Sequence, residues 1–204
     1  MHIAVAGNIG SGKTTLTSLL ARNFKWEPQY EDLDTNPYLH SFYEDMQRWS
    51  FNLQIYFLNS RFRRIIDIRK SGKTVIQDRT IYEDAFIFAP NLHGMNLMST
   101  RDFENYKSLF ELISSFIQPP DLLIYLRASV PTLVSQIQKR GREYESAIRI
   151  DYLKNLNDMY EEWVENYKLG KILFIDVDNL KFSENSEHLG IVIEKVNAEL
   201  HGLF

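Results

Sequence analysis

Short apolar runs alternate along the chain with longer segments in which apolar residues recur every three or four positions. The runs expected to form strands cover residues 2–6, 26–32, 74–77, 121–126 and 171–177. The segments expected to form helices cover residues 15–21, 51–70, 81–88, 100–117, 131–138, 152–163 and 187–200. Pro90, Asn91 and Gly94 indicate a loop between two of these helices. The alternation predicts an α/β fold, in which helices cover both faces of a parallel sheet.

Composition narrows the class of protein further. The chain has 204 residues, a formal net charge of −4 and no cysteine. This length fits one domain, and we expect residues 1–204 to form it. The negative balance argues against a general nucleic-acid-binding protein and against a membrane-surface protein. Without cysteine, a charged leader or an apolar run of ~18 residues, the sequence favours a cytoplasmic protein with no membrane segment.

A phosphate-binding loop lies between the first predicted strand and the first predicted helix. Its glycines allow successive backbone N–H groups to point at phosphate oxygens. Lys13 is expected to reach the β- and γ-phosphates of ATP, and the Thr14 hydroxyl to ligate Mg²⁺. A chance glycine turn is a weak alternative, because strand, loop and helix follow in the required order, and we expect a P-loop NTPase-type sheet. The residues expected to bind nucleotide here are Gly7, Asn8, Ile9, Gly10, Ser11, Gly12, Lys13, Thr14 and Thr15.

Charged residues follow two further strands at the point where each strand ends. In open α/β sheets ligands bind at the carboxyl ends of strands, so Glu31 is a candidate general base. The alternative is a solvated loop acid. Asp78 could hold the water shell of Mg²⁺, and Arg79 could contact a phosphate or the attacking oxygen. An internal ion pair between Asp78 and Arg79 is the competing interpretation.

The long helix has an apolar stripe that includes Phe51, Leu58 and Ile65. Gln54 and Arg61 lie seven residues apart and are expected to share a different face of this helix. Together they could read the edge of a nucleobase, although two solvated polar residues would give the same pattern.

Basic residues flank a glycine after the helix that begins near residue 131. Lys139, Arg140 and Arg142 suit a lid over about residues 139–147, which would close positive charge over a transferring phosphoryl group. A solvated basic turn is the alternative.

Taken in order, these motifs resemble those of the deoxyribonucleoside kinases, the family of deoxycytidine, deoxyguanosine and bacterial deoxyadenosine kinases. The resemblance covers nearly the whole chain. It is carried by GNIGSGKTT at 7–15, the acid at 31, RWSFNLQIYFLNSR at 48–61, DRTIYED at 78–84 and RGREYE at 140–145. The short NPYL at 36–39 is more similar to the bacterial deoxyadenosine kinases.

The resemblance implies roles for residues around the transferred phosphoryl group. It implies that Glu31 accepts the proton of the sugar 5′-hydroxyl and that Arg79 steadies this hydroxyl and the phosphoryl group. Asp78 matches an acid near Mg²⁺. Arg140 and Arg142 match the lid arginines, while Gln136 stands where some relatives carry a third basic residue.

It also implies how the nucleoside is held. Tyr43 and Glu145 match residues that bind the 3′-hydroxyl, and Gln54 matches a residue that makes paired hydrogen bonds to the base. Arg61 and Asp84 match a charged pair beside the base, where an Asp would accept from an exocyclic amino group that thymine lacks. Phe88 matches an aromatic that packs on the base, with a core role as the alternative. A homodimer packed through long helices is also implied.

The function expected from these residues is ATP-dependent phosphorylation of a deoxyribonucleoside at its 5′-hydroxyl, with Mg²⁺. Deoxyadenosine is favoured, and deoxycytidine and deoxyguanosine are accepted. One alternative is a nucleoside monophosphate kinase of the thymidylate kinase type, against which Glu31 argues because a carboxylate would repel the acceptor's phosphate. The other is a P-loop nucleotide switch.

Overall fold

The computed structural model describes residues 1–31, 35–142, 145 and 148–202. Its strands are β1 (His2–Gly7), β2 (Glu27–Gln29), β3 (Val75–Asp78), β4 (Leu122–Arg127) and β5 (Lys171–Asp176). The helices up to residue 83 are α1 (Lys13–Phe24), α2 (Leu39–Glu44), α3 (Met46–Ser71) and α4 (Ile81–Glu83). A π-helical turn, Asp84–Phe88, then leads into α5 (Ala89–Gly94). The remaining helices are α6 (Thr100–Ser114), α7 (Val130–Arg140), α8 (Ile150–Glu165) and α9 (Ser186–His201).

The five strands form one parallel sheet in the order β2-β3-β1-β4-β5. β1 is central, and Ile3 lies between Ile76 of β3 and Leu122 of β4. Because all strands run the same way, the segments that follow β1, β2 and β3 meet at one edge of the sheet. At this edge the phosphate-binding loop therefore lies close to Glu31 and Arg79.

Each face of the sheet is covered by its own apolar cluster. Ala4 and Ala6 of β1 belong to a cluster shared with α3, α6 and α8. Ile3 and Val5 point to the other face, where they join a cluster with α1, α7 and α9. The period-two alternation of a strand buried on both sides explains why β1 is apolar at nearly every position. The predicted α/β class and the parallel sheet with helices on both faces are confirmed. None of the described helices is long and apolar enough to cross a bilayer.

The structure corrects two predictions about local elements. Gln54 and Arg61 do not share a separate face of α3: they lie on its buried side together with Leu58 and Ile65. That side of α3 faces a cavity as well as the apolar core, and Gln54 and Arg61 line this cavity. Residues 90–94 are not a loop but form most of α5, because Pro90 lies in the first turn of a helix, where a missing N–H is tolerated.

Candidate active site

The phosphate-binding loop joins β1 to α1 and takes its shape from backbone that only glycine adopts easily. Gly10 has φ +85°, and a Cβ there would lie 2.9 Å from the Leu133 carbonyl oxygen. The Asn8 side chain points away from the loop centre and donates to the Leu153 carbonyl of α8 at 3.1 Å. Asn8 therefore anchors the loop through its side chain. That Asn8 binds nucleotide stays a prediction, and it concerns the backbone of this residue.

Lys13 is buried at the bottom of this loop. Its ammonium donates to the Asn8 carbonyl at 2.9 Å. Burial and, after it, the nearby Arg79 guanidinium lower the pKa of Lys13 to about 7. A phosphate placed beside Lys13 would oppose both effects, because an anion favours the charged amine. The position therefore fits a lysine that binds nucleotide phosphates.

Thr14 and Asp78 form the part of the site that suits a magnesium ion. The Thr14 hydroxyl donates to Asp78 Oδ2 at 2.5 Å, while the buried Asp78 Oδ1 has no hydrogen-bond partner. Burial raises the pKa of the Asp78 carboxyl. Among the described residues there is no cluster of three or more His, Cys, Asp or Glu side chains that could hold a metal ion. One hydroxyl and one carboxylate nonetheless fit Mg²⁺, which takes most of its oxygen ligands from phosphates and water in such sites.

Two buried arginines hold Glu31 at the edge of the sheet. Its carboxylate accepts from Arg61 Nη2 at 2.6 Å and lies 3.4 Å from Arg79 Nε. Burial alone would raise the pKa of Glu31, but the two guanidinium groups prevail and lower it to about 2. Glu31 is therefore ionised at neutral pH and not a freely solvated acid, and it is oriented by both arginines.

Arg79 has a left-handed backbone, with φ +67°, directly after β3. This conformation costs a non-glycine residue roughly 1–2 kcal/mol, and such strain concentrates at functional sites. The Arg79 N–H donates to the Val5 carbonyl at 3.0 Å. Its guanidinium lies 4.6 Å from the centre of the Phe88 ring and donates to the Tyr160 hydroxyl at 2.8 Å. The side chain is thus fixed on all sides beside Glu31.

The far end of the cavity is lined by polar side chains on a buried wall. Gln54 is buried, and its Oε1 has no hydrogen-bond partner. Asp84 accepts a close hydrogen bond from Arg61 Nε. Burial raises the pKa of Asp84 to about 6, although the Arg61 guanidinium opposes the increase. Phe88 and Tyr43 line the same space. The π-helical turn places Asp84 and Phe88 toward this cavity, as wide turns at functional sites commonly do.

Only part of the predicted lid lies within the described residues. Four of its positions, Glu143, Tyr144, Ser146 and Ala147, lie outside the described residues. Arg140 ends α7 and donates to Glu145 Oε2 at 3.0 Å, and Arg142 Nη1 is 3.5 Å from Glu145 Oε1. The carboxylate expected to hold a sugar hydroxyl therefore pairs with both lid arginines in this structure. Lys139 pairs instead with Glu184.

One cavity of about 1030 Å³ connects most of these groups, but the predicted site residues Gly7, Asn8, Ser11 and Asp78 do not line it. It runs from the phosphate-binding loop past Glu31 and Arg79 to Gln54. The predicted site residues that line it are Ile9, Gly10, Gly12, Lys13, Thr14, Thr15, Glu31, Tyr43, Gln54, Arg61, Arg79, Asp84, Phe88, Arg140, Arg142 and Glu145. Its volume is at the upper end of the range for small-molecule sites, which suits two substrates.

One buried acid was missed by the sequence analysis. Glu83 is fully buried, and its carboxylate accepts hydrogen bonds from the backbone of Gly7 and Thr80. Thr80 at the helix start followed by Glu83 three residues later is the pattern of a capping box, which could have drawn attention to this residue.

The sheet, the loop and the cavity define a P-loop kinase. A family model described as deoxynucleoside kinase matches residues 3–201, and the chain belongs to this family. It is similar to a deoxyadenosine/deoxycytidine kinase of Bacillus subtilis (strain 168), with 35% identity over 201 residues, which are 98% of this chain and 93% of the relative. It is also similar to a deoxyguanosine kinase of Lactobacillus johnsonii, with 36% identity over 97% of this chain and 92% of the relative.

Solved structures give the same result. A deoxyadenosine kinase from M. mycoides with bound dATP superposes with a TM-score of 0.85 at 29% identity, covering 97% of this chain and 100% of that chain. The same kinase with bound dCTP gives a TM-score of 0.84. The predicted family is confirmed, and neither the monophosphate kinase nor the nucleotide switch is favoured by these relatives.

Proposed function

We propose that the protein transfers the γ-phosphoryl group of ATP to the 5′-hydroxyl of a deoxyribonucleoside, with deoxyadenosine preferred and deoxycytidine and deoxyguanosine accepted. The observation that carries this proposal is one cavity lined by Lys13, by Gln54 and by Glu31 beside Arg79. The activities named for the relatives support the same substrates.

The residues contribute mainly by position and charge. Phosphoryl transfer passes through a loose transition state, so most of the acceleration comes from alignment and neutralisation of charge. Lys13 and Arg79 lie on either side of the transferred group, and Arg140 and Arg142 add charge from the lid. Glu31, with its lowered pKa, is a weak base; it orients the 5′-hydroxyl and accepts its proton as the phosphorus–oxygen bond forms.

At the nucleoside end, Gln54 binds the edge of the base and Phe88 packs on its face. Asp84, held by Arg61, accepts from an exocyclic amino group. Tyr43 and Glu145 bind the 3′-hydroxyl, and Glu145 exchanges its present arginine partners for the sugar when the lid closes.

Magnesium belongs to this proposal because of the chemistry of Thr14 and Asp78. Thr14 would ligate Mg²⁺ directly, and Asp78, with one unpartnered oxygen, would hold it directly or through water. When bound, the ion neutralises charge on the β- and γ-phosphates. A homodimer, a cytoplasmic location and a single domain over residues 1–204 complete the proposal.

The experiment is ATP-dependent phosphorylation of the four common deoxynucleosides, with the four monophosphates as parallel substrates. We expect deoxyadenosine to react fastest, deoxycytidine and deoxyguanosine more slowly, and thymidine very little. Turnover of monophosphates alone would reject the proposal and make the protein a nucleotide kinase. ATP hydrolysis that is independent of any acceptor would indicate a switch.

Glu31→Gln tests the assignment of the base. The amide keeps the size of the side chain but cannot accept the hydroxyl proton, so we expect kcat to fall about 100-fold or more while KM for deoxyadenosine changes little. Arg61 and Arg79 lose an anionic partner, so thermal melting must first establish a temperature at which the variant is folded. An unchanged kcat would remove Glu31 from the role of base.

A further inference from the structure

Glu83 lies at the junction between two parts of the site that the reaction must align. It is fully buried at the end of α4, four residues after Arg79. The proposed mechanism gives Glu83 no contact with either substrate, and it does not line the cavity. A buried carboxylate is costly unless several donors satisfy it, so its partners indicate what it does.

Those partners come from both parts of the site. Glu83 Oε1 accepts from the Gly7 N–H at 3.2 Å, at the start of the phosphate-binding loop. The same oxygen accepts from the Tyr160 hydroxyl at 2.8 Å and lies 3.5 Å from Arg79 Nη1. Tyr160 in turn accepts from Arg79 at 2.8 Å. One oxygen therefore connects the loop proposed to hold ATP with Arg79, the arginine proposed to face the deoxynucleoside.

The second oxygen supports the backbone of Arg79. Glu83 Oε2 accepts from the Thr80 N–H at 2.6 Å, and the Thr80 hydroxyl accepts from the Glu83 N–H at 3.4 Å. This reciprocal cap begins one residue after Arg79, whose backbone is left-handed. The cap therefore fixes the direction in which the chain leaves Arg79, while Glu83 Oε1 and the Tyr160 hydroxyl hold the Arg79 side chain.

We propose that Glu83 is a positioning residue for phosphoryl transfer, which sets the phosphate-binding loop and Arg79 at the separation that the transition state requires. The inference rests on the proposed function. Its basis is that Glu83 contacts Gly7 and Arg79 with the same oxygen, so a change at that atom alters the position of the loop and the arginine relative to each other. Rates of aligned reactions are sensitive to such shifts, of which about 1 Å can cost on the order of 100-fold.

The test is Glu83→Gln, which keeps the side-chain volume but turns one acceptor oxygen into a donor that faces another N–H. With the folded variant and saturating substrates, we expect kcat for deoxyadenosine to fall about 10- to 100-fold. KM for ATP and for deoxyadenosine should each stay within about threefold, because neither substrate touches Glu83. Tyr160→Phe keeps the ring and removes only the hydroxyl between Arg79 and Glu83, so it should lower kcat by about threefold to tenfold.

The two substitutions act on one network, so the double variant should have nearly the kcat of Glu83→Gln alone. Val196→Ala in α9 serves as the matched control, because it destabilises the buried core on the other face of the sheet without contact to the site. It should lower the melting temperature and leave kcat unchanged. If Glu83→Gln does not fold, Tyr160→Phe decides alone.

The inference is overturned if Glu83→Gln lowers the melting temperature while its kcat stays within twofold of wild type. If Glu83→Gln does not fold, the same result for Tyr160→Phe overturns it. A loss that appears in KM with kcat unchanged would also overturn it, because that would be a loss of substrate binding. A wild-type protein inactive on every deoxynucleoside would reject the proposed function and this inference with it. An active wild type with unaffected variants would reject this inference alone.

Discussion

Gln54 carries a polar atom whose burial is unfavourable in the free protein. Its Oε1 has no hydrogen-bond partner although the side chain is buried. An unsatisfied buried acceptor costs about 1–3 kcal/mol. Gln54 lines the cavity, and a base with a free N–H or amino group bound there would satisfy this atom. Gln54 should therefore lower the stability of the free protein and stabilise its complex with a nucleoside.

Gln54→Leu separates these two effects. We expect kcat/KM for deoxyadenosine to fall about 10- to 100-fold, since a paired hydrogen bond to a base is worth about 1–3 kcal/mol. The melting temperature of the free protein should stay the same or rise, because an unsatisfied amide is replaced by an apolar group of similar size. Steady-state kinetics and thermal melting measure the two quantities. A lower melting temperature together with full activity would contradict the assignment.

Asp84 predicts a pH dependence of nucleoside use. Burial raises its pKa from the usual 3.8 to about 6, so it takes up a proton at a higher pH than an ordinary Asp. Below about pH 6 the protonated carboxyl loses acceptor capacity, and kcat/KM for deoxyadenosine at saturating ATP should fall as pH falls. Glu31 cannot cause this decrease, because its pKa of about 2 keeps it ionised. A flat profile between pH 5 and 8 would contradict the prediction.

At the scale of elements, features set by the spacing of residues close in the sequence were predictable. Features set by a cavity that distant parts of the chain form together were not. The loop between β1 and α1 has a fixed glycine and lysine spacing, so both its place and its phosphate-binding chemistry follow from the sequence. The orientation of α3 did not follow, because Gln54 and Arg61 line a cavity and hydropathy assigns polar residues to solvent. The π-helical turn before α5 has no sequence signal of comparable strength.

The end of α1 offers a prediction about stability. Lys25 follows the helix in a left-handed conformation, with φ +57°, and its N–H donates to the Ala21 carbonyl. Glycine is the usual residue at this position because it has no Cβ. Lys25→Gly should increase the free energy of unfolding by about 0.5–1 kcal/mol, part of the gain being offset by the loss of a positive charge at the helix end.

Chemical denaturation measures this change, and Lys25→Ala is the matched control. It loses the same charge but keeps a Cβ, so it should be no more stable than wild type. Lys25 is exposed and lies outside the cavity, so kcat should be unaffected in both variants. Equal stability of the Gly and Ala variants would show that the backbone conformation carries no cost here.

At the scale of the whole molecule, the sequence placed most cavity residues but not the links between them. Glu31, Asp78 and Arg79 were predictable because each lies at or just after the end of a strand at the same edge of the sheet. Glu83 lies on a short helix and contacts Gly7, which is 76 positions away in the chain. Its function depends on this long-range contact and on complete burial, and neither can be read from spacing.

The expected homodimer has a surface that suits it. Four large apolar side chains are exposed on α6 and beside it, here called the α6 patch: Phe86 (45% exposed), Leu109 (38%), Leu112 (60%) and Phe116 (68%). The Phe86 ring packs edge-on against Phe110 of α6 at 5.6 Å, which places Phe86 beside α6. Contiguous exposed apolar groups of this kind mark interaction surfaces, and a second copy of the chain is the occupant that the family resemblance implies.

Leu112→Glu tests whether the α6 patch holds two copies together. A carboxylate at the centre of an apolar interface would be buried without a partner, and a two-fold interface would contain it twice. We expect wild type to sediment as a dimer and Leu112→Glu to dissociate at least tenfold more readily. Ile150→Glu is the matched control, since Ile150 is 67% exposed on α8 and lies outside the patch. A monomeric wild type, or equal behaviour of the two variants, would reject the α6 patch as the interface.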